Sequence, residues 1–410
     1  MRPPIWRSPN FLKLWSAGTV SDLGSEITEL ALPLTAILIL HATPSEIGVL
    51  GAVRAVPYLL IGLAAGVLVD RSRPVPLLVA TDLGRSVILA SIPIVYATGH
   101  LQILQLYVVA FFAGCLTVIF GVARQATIHT IVPRQDLIDA NSKVGVSHSV
   151  AEATGPGLGG LLIGALSAPV TILIDAVSFL ISAALVGSIR AGSAPPQAES
   201  IQAAVLADVK EGLNFILRHE VLRRLAMTLA LLNLFASVFF TAYLLYAVRV
   251  LHLGPSVIGV VLALAGLGGI AGAATATRLG RRFGVGRVIA ASAAPVGLLL
   301  IPLAPRAAPI PWLIAGGFTE SFALMVFYST QLGVRQALTP ARLQGRMTGS
   351  MRFLIQALVP VGSIVGGTLG STIGLRSTLW VGAIGSLSGV VPILLSRIPA
   401  IRAIPEQAEP

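Results

Sequence analysis

Long apolar runs, separated by short polar or glycine- and proline-bearing stretches, recur along the whole chain. Residues 30–40, 56–69, 87–96 and 101–123 are examples. A helix needs about 20 apolar residues to cross a hydrocarbon core of ~30 Å. The alternation of apolar and polar positions that marks an outer-membrane barrel is absent. Blocks and breakers predict twelve spanning helices. The first six lie near 11–40, 46–69, 75–97, 101–123, 141–166 and 169–190, and the second six near 222–250, 256–279, 285–304, 309–332, 346–371 and 376–397. The fold expected is an all-α membrane protein of two pseudo-symmetric six-helix bundles, residues 1–190 and 222–410. Residues 191–221 join them. This linker opens as a Pro/Ser/Ala stretch and becomes amphipathic over 203–218, the pattern of a helix lying on a membrane surface.

Composition agrees with this pattern. Of the 410 residues, 55% are hydrophobic and 11% charged, whereas a soluble domain carries about 25% charged residues. The single cysteine, Cys115, excludes an intramolecular disulfide and suggests no metal cluster. Met1–Asn10 is short and polar, without the pattern of a cleaved signal peptide. The net charge of +11 would suit nucleic acid if it were spread over a surface, but it is clustered between apolar blocks. With the N-terminus inside, 23 of the 28 Lys and Arg residues fall in cytoplasmic segments. Arg249, Arg306 and Arg376 fall outside, and Arg54 and Arg85 within spans. That asymmetry orients both termini to the cytoplasm. The location expected is the bacterial inner membrane, since arginine far outnumbers lysine, as in GC-rich bacterial genomes.

The halves repeat each other. His41-Ala-Thr-Pro44-Ser45-Glu-Ile47-Gly48-Val49 recurs as His252-Leu-Gly-Pro255-Ser256-Val-Ile258-Gly259-Val260, an offset of 211. The same offset carries Arg124-Gln125-Ala126 to Arg335-Gln336-Ala337. After a four-residue deletion an offset of 207 carries Pro133 to Pro340, Gly155 to Gly362, and Gly159-Gly160 to Gly366-Gly367. Parallel six-helix repeats with the substrate path between them are the plan of alternating-access transporters.

Three motifs give the chain a resemblance to the major facilitator superfamily over nearly its whole length. Gly66-Val67-Leu68-Val69-Asp70-Arg71-Ser72-Arg73 resembles the family signature after the second helix, though Pro74 stands where a later glycine is usual. Its degenerate copy, 275–282, has no acid. Ala151-Glu-Ala-Thr-Gly155-Pro156-Gly157-Leu158-Gly159-Gly160 resembles the family's antiporter motif, with alanine for the leading glycine; the resemblance implies export. Asn10-Phe11-Leu12-Lys13-Leu14-Trp15 and Asp82-Leu83-Gly84-Arg85 are similar to the branch of macrolide-efflux and enterobactin-exporter-like proteins.

The first motif has a physical reading of its own as a gate. Asp70 and Arg71 stand at the inner mouth of the second helix, where an acid can face the positive end of the eleventh helix near residues 345–347. That contact would favour the outward-open state by ~1–2 kcal/mol. Arg124 is a candidate partner of Asp70. Arg73, Asp82 and Arg85 complete the gating set with Gly66. A solvated ion pair in an ordinary positive loop is the bland alternative. In the second motif Pro156 removes a backbone hydrogen bond, and Gly155, Gly159 and Gly160 allow close helix approach, sealing against ion leak.

Charged groups within a span are costly and mark function by default. Asp22, Glu26 and Glu29 share one face of the first helix. By helix rise, Arg54 comes level with Glu26 and Glu29, and Arg85 with Asp22. Two acid–base pairs and one acid left over follow. A carboxyl without a cation in an apolar site carries a proton at working pH. Glu26 is the first choice of proton carrier, with Glu29 or Asp22 as alternatives; holding helices together is the competing role. His148 and Glu152, one turn apart, suggest a relay or merely a helix-surface hydrogen bond. Asp175 reads as an interfacial residue. Glu320, the one buried acid of the second half, is placed at the substrate with Asn233, Phe235, Phe239, Phe327, Tyr328, Gln331 and Gln356, an apolar pocket with few polar groups. Tyr243 belongs to the same wall. Each aromatic alone is also explicable as packing. Trp6, Trp15, Trp312 and Trp380 fall at helix ends, as an interfacial belt.

The chain has no phosphate-binding Gly-Lys loop, no His-Glu-x-x-His and no clustered metal ligands. The reading is a secondary transporter and not an enzyme, using no cofactor but the proton gradient. It is a proton-coupled antiporter exporting small amphipathic molecules: drug, antibiotic or siderophore. Its partners are membrane lipid, protons and a small-molecule substrate, with no nucleic acid, and it is expected to be monomeric. The rivals are an importer of a small metabolite and a membrane scaffold or secretion accessory.

Overall fold

The structure is a computed structural model. It describes Trp6, 8–189 and 201–403; within these, the side chains of 63, 64, 67, 70, 201–209 and 341 lie outside the described set. Helices account for the architecture. In the first half they are α1 (Pro9–Leu38), α2 (Pro44–Leu60), α3 (Gly62–Asp70), α4 (Pro74–Ala97), α5 (Ile103–Ile131), α6 (Leu137–Leu166) and α7 (Ala168–Gly187). The amphipathic segment is α8 (Ile201–Arg218). The second half comprises α9 (Glu220–Arg249), α10 (Pro255–Phe283), α11 (Val285–Ser292), α12 (Val296–Leu303), α13 (Ile310–Ala337), α14 (Gln344–Thr372), α15 (Leu375–Leu387) and α16 (Val391–Leu394).

Three expected spans are interrupted, each near a proline. Pro57 precedes the α2/α3 break by one turn, Pro295 stands in the α11/α12 break, and Pro392 opens α16. Proline lacks the N–H that would continue the ladder. Rejoined across these breaks, and setting α8 aside, the helices among the described residues are consistent with twelve passages. Nine of these are long and apolar enough to span a membrane by length and composition. The other three are α1 and α6, which carry charged residues, and the divided α2–α3. Apolar side chains such as Val87, Ile94 and Leu104 are more than half exposed, a surface suited to lipid contact.

The repeat extends to backbone detail. His41 and His252 both adopt φ 52 in the turn after a helix. Leu40 N–H donates to Thr35 O, and its counterpart Leu251 donates to Tyr246 O; Ala42 donates to Ala36, as Leu253 does to Ala247. Packing repeats as well: α1 lies along α6 and α7, and α9 lies along α14 and α15.

The chain divides into two compact units. One takes the described residues of 1–42, 53–202 and 254–260, and the other those of 43–52, 203–253 and 261–410. The units thus part at different residues from the expected linker, α8 from residue 203 grouping with the second. In the first unit Phe11, Leu14, Ala17, Leu78, Phe120 and Ile128 form an apolar core. In the second, Leu225, Leu229, Phe327, Met347 and Met351 do so.

Candidate functional site

Three acids of the first unit, Asp22, Glu26 and Glu29, lie on α1. Arg54 of α2 forms an ion pair with Glu29, one of the two acids that helix depth brings level with it. Asp22 differs from the expectation. It pairs with Arg124 of α5, whose Nη1 lies 3.1 Å from both carboxylate oxygens. Gly18, one turn before Asp22, makes this possible: a methyl group there would stand 3.1 Å from Arg124 Nη1. Arg85, the expected partner of Asp22, instead pairs with Asp82 on its own helix. Depth along a span is readable from sequence, but the direction in which a helix face points is set by packing. Arg124 Nη1 is thus taken by Asp22.

His148 of α6 approaches the same Asp22, Nδ1 to Oδ2 3.7 Å. Trp15 Nε1–H donates to Ser147 Oγ at 2.9 Å, tying α1 to α6 beside it; Trp15 therefore packs within the unit as well as lying near a helix end. A small cleft at this point is lined by Trp15, Gly18, Thr19, Asp22, Arg124 and Ser147. Glu26 has no ion pair among the described residues. It stands half-buried, one turn along α1 from Asp22, with His148 and Glu152 within electrostatic reach. Its Cβ occupies the space left by Gly155, so the motif glycine is what admits the carboxyl-bearing residue between the helices.

The motif on α6 has two faces. Gly155 and Gly159 turn to α1, a methyl on Gly159 meeting Ile27 Cα at 3.4 Å. Pro156 and Gly160 turn to the first residues of α10, within the same unit. A methyl on Gly160 would stand 2.5 Å from Gly259 Cα, and one on Gly259 would stand 2.8 Å from the Pro156 carbonyl. The repeat produces the same contact in the second unit, where a methyl on Gly48 would stand 2.9 Å from Gly367 Cα. Helices meeting at paired glycines approach backbone to backbone.

Asp82 and Arg85 are enclosed. Ser182 donates to Asp82 at 2.7 Å, and the Arg85 guanidinium lies 4.2 Å from the Phe120 ring and 4.0 Å from the Phe179 ring. Asp175, expected at an interface, is instead buried, accepting from Ser178 at 3.0 Å under Gly24. The gate motif presents Arg71 and Arg73 exposed. A methyl on Gly66 would meet nothing within 4 Å. The Asp70 side chain lies outside the described residues, so the contact expected of it does too.

The residues expected at the substrate are mostly interior to the second unit. Phe239 and Phe327 are fully buried, and Phe235 packs on Gly385 as Phe239 does on Gly382. Tyr328 packs against the apolar core, and Gln331 is buried beside Arg335. Asn233 and Gln356 are half-buried, the Asn233 amide donating to Leu229 O at 2.9 Å. Glu320 turns toward α12, its backbone packed on Gly297 and one carboxyl oxygen buried without a partner. These aromatics are apolar on both faces of their helices, so sequence alone could not say which face meets protein.

Outside the spans, the one titrating group with a clear cause is His219, between α8 and α9. Burial pushes its imidazole below the usual histidine range, opposed in part by Glu220. Glu211 of α8 holds Arg346 in the first turn of α14 and Arg342 just before that helix. Among the described residues no group of three or more His, Cys, Asp or Glu side chains is placed to hold a metal.

The profile of a family described as transmembrane secretion effector matches residues 4–409. The multidrug efflux pump Tap of Mycolicibacterium fortuitum is 27% identical over 408 residues, covering 96% of this chain and 97% of that protein. The MFS-type transporter YfiS of Bacillus subtilis is 27% identical over 365 residues, covering 88% and 82%. In three dimensions the nucleoside transporter NupG is similar with a TM-score of 0.76 at 11% identity, over 94% of this chain and 99% of that one.

Proposed function

The chain belongs to the transmembrane secretion effector family of major facilitator transporters, and on that premise we propose that it is a proton-coupled antiporter exporting small amphipathic molecules. Both termini then face the cytoplasm of a bacterial inner membrane, as the basic residues indicate. The two repeats are the arms of an alternating-access cycle.

One observation carries the coupling: of the three acids on α1, two are held by arginines and Glu26 is not. An ion-paired carboxylate is committed to its cation. A carboxyl without one, set in a weakly polar wall, exchanges its charge with a proton. Glu26 also abuts Gly155, so a change at its carboxyl acts directly on the packing of α1 against α6. Protonation lowers the cost of enclosing the residue, and deprotonation favours the state that leaves it wet. The efflux relatives support export of drug-like molecules, and the family membership supports transport over a scaffold.

In proteoliposomes loaded with a pH indicator, a panel of amphipathic compounds should release protons from the wild type. Glu26→Gln should abolish this, with ligand binding preserved within about threefold, since the amide is nearly isosteric. Full proton release from the Gln variant would remove Glu26 from the role.

A further inference from the structure

We propose that His148 is the group through which the proton held at Glu26 leaves toward the cytoplasm. This rests on the antiport reading and adds to it a second residue and a direction.

Under that reading α1 and α6 both begin at the cytoplasmic side and run parallel. Their facing side chains form two rungs. The inner rung is Asp22 with His148, 3.7 Å apart. The outer rung is Glu26, level with Gly155 and the Glu152 that precedes it. Each rung is one helical turn, about 6 Å of rise, from the next. A proton moving from Glu26 to the cytoplasm therefore meets His148 on the way. The ring is suited to take it. Its side chain is 52% exposed, so water reaches it, whereas Asp22 at 16% is enclosed. Nδ1 is the ring nitrogen turned to the Asp22 carboxylate, at 3.7 Å, so Nε2 is the proton-accepting atom when Nδ1 carries the hydrogen.

The step balances simply. The Glu26 O–H bond breaks and an N–H bond forms at His148 Nε2, directly or through one water, giving a carboxylate and an imidazolium. Nε2–H then passes its proton to cytoplasmic water and the neutral ring returns. The charged groups around His148 are Asp22 and Glu26 on α1, Glu152 on its own helix, and Arg124 on α5, which is paired with Asp22. Asp175 on α7 is turned to the opposite side of α1, under Gly24. The α10 residues of this unit, 255–260, hold no titratable side chain. Asp22 is committed to Arg124 as an ion pair, which leaves Glu26 as the carboxyl without a cation beside the ring.

The full-length protein in pyranine-loaded proteoliposomes tests this, using ethidium within a panel of amphipathic compounds. His148→Ala is expected to slow compound-induced proton release about 100-fold or more. Imidazole added to the medium should restore it, because the vacated position is open to water. Glu26→Gln should not respond to imidazole. Release from His148→Ala at the wild-type rate would overturn the assignment; so would a slowed rate that imidazole leaves unchanged. His148→Asn, which keeps a donor toward Asp22, applies the same test if the alanine variant does not fold. A wild type that releases no protons with any compound would instead remove the antiport reading, and this inference with it.

Discussion

Asp82 and Arg85 are enclosed within the first unit, both below 5% exposure. A buried pair of this kind adds little over a well-packed apolar pair, but breaking it by removing one partner leaves an uncompensated charge. Arg85→Met is therefore expected to destabilise the protein by about 3–5 kcal/mol, read as a lower Tm in detergent. The double variant D82N/R85M should recover most of the loss. If the double variant is as unstable as the single one, the packing of Arg85 between Phe120 and Phe179 matters more than its charge. Residue-scale pairing was only partly legible beforehand. Depth brings Arg54 level with both Glu26 and Glu29, and packing selects Glu29. Arg124 with Asp22 does not follow from depth, although Gly18 one turn before the acid was a sign that a large group approaches that face. Asp175 could not be placed, since a serine-lined niche and an interfacial position look alike in one dimension.

At the scale of helices, glycine decides which pairs touch. Gly160→Leu would drive side-chain atoms into the Pro255 carbonyl, 2.6 Å from the position of the first added carbon. Overpacking of this order costs about 1–3 kcal/mol. It should lower Tm and reduce transport at least tenfold, and an unchanged Tm would show that the contact is loose. Gly121→Ala is the control, since among the described residues nothing lies within 4 Å of the added methyl.

The α8–α9 junction gives a pH dependence. The folded pKa of His219 is depressed by burial, so the unfolded chain binds more protons and stability rises with pH. Its contribution is intact above the unfolded value of about 6.5 and is lost as pH falls below it, through the folded value. Tm should therefore fall more steeply between pH 7.5 and 5.5 in the wild type than in His219→Gln. Equal slopes would mean that the imidazole is solvated.

Across the whole molecule, the repeat keeps its skeleton and loses its charges. The offset that relates Arg124 to Arg335 relates Asp22 to Asn233, so the second half retains the arginine and replaces its acid by an amide. Arg335 is buried, with Nη1 at 3.4 Å from Gln331 and Nε unpartnered. Under the antiport proposed above, coupling is accordingly assigned to the first half. The orientation of the whole is testable because the chain has one cysteine, itself buried. In a Cys115→Ala background, cysteines introduced at Ser8 and at Ala403 should react with a membrane-impermeant maleimide in everted vesicles and not in intact cells. Labelling of either site in cells would reverse the topology.

By itself the sequence determined the order of the apolar spans, the repeat, and which charges lie within spans, because these depend on hydrophobic length and spacing along one dimension. It also allowed one acid on α1 to be left without a cation, though through a different pairing from the one found. Only the tertiary structure decided which acid each arginine serves, that Phe239 and Phe327 are packed inside the second unit, and that His148 stands beside Asp22. Those depend on the rotation of each helix about its own axis. That rotation is set by close contacts such as Gly18 with Arg124 and Gly155 with Glu26, between residues far apart in the chain.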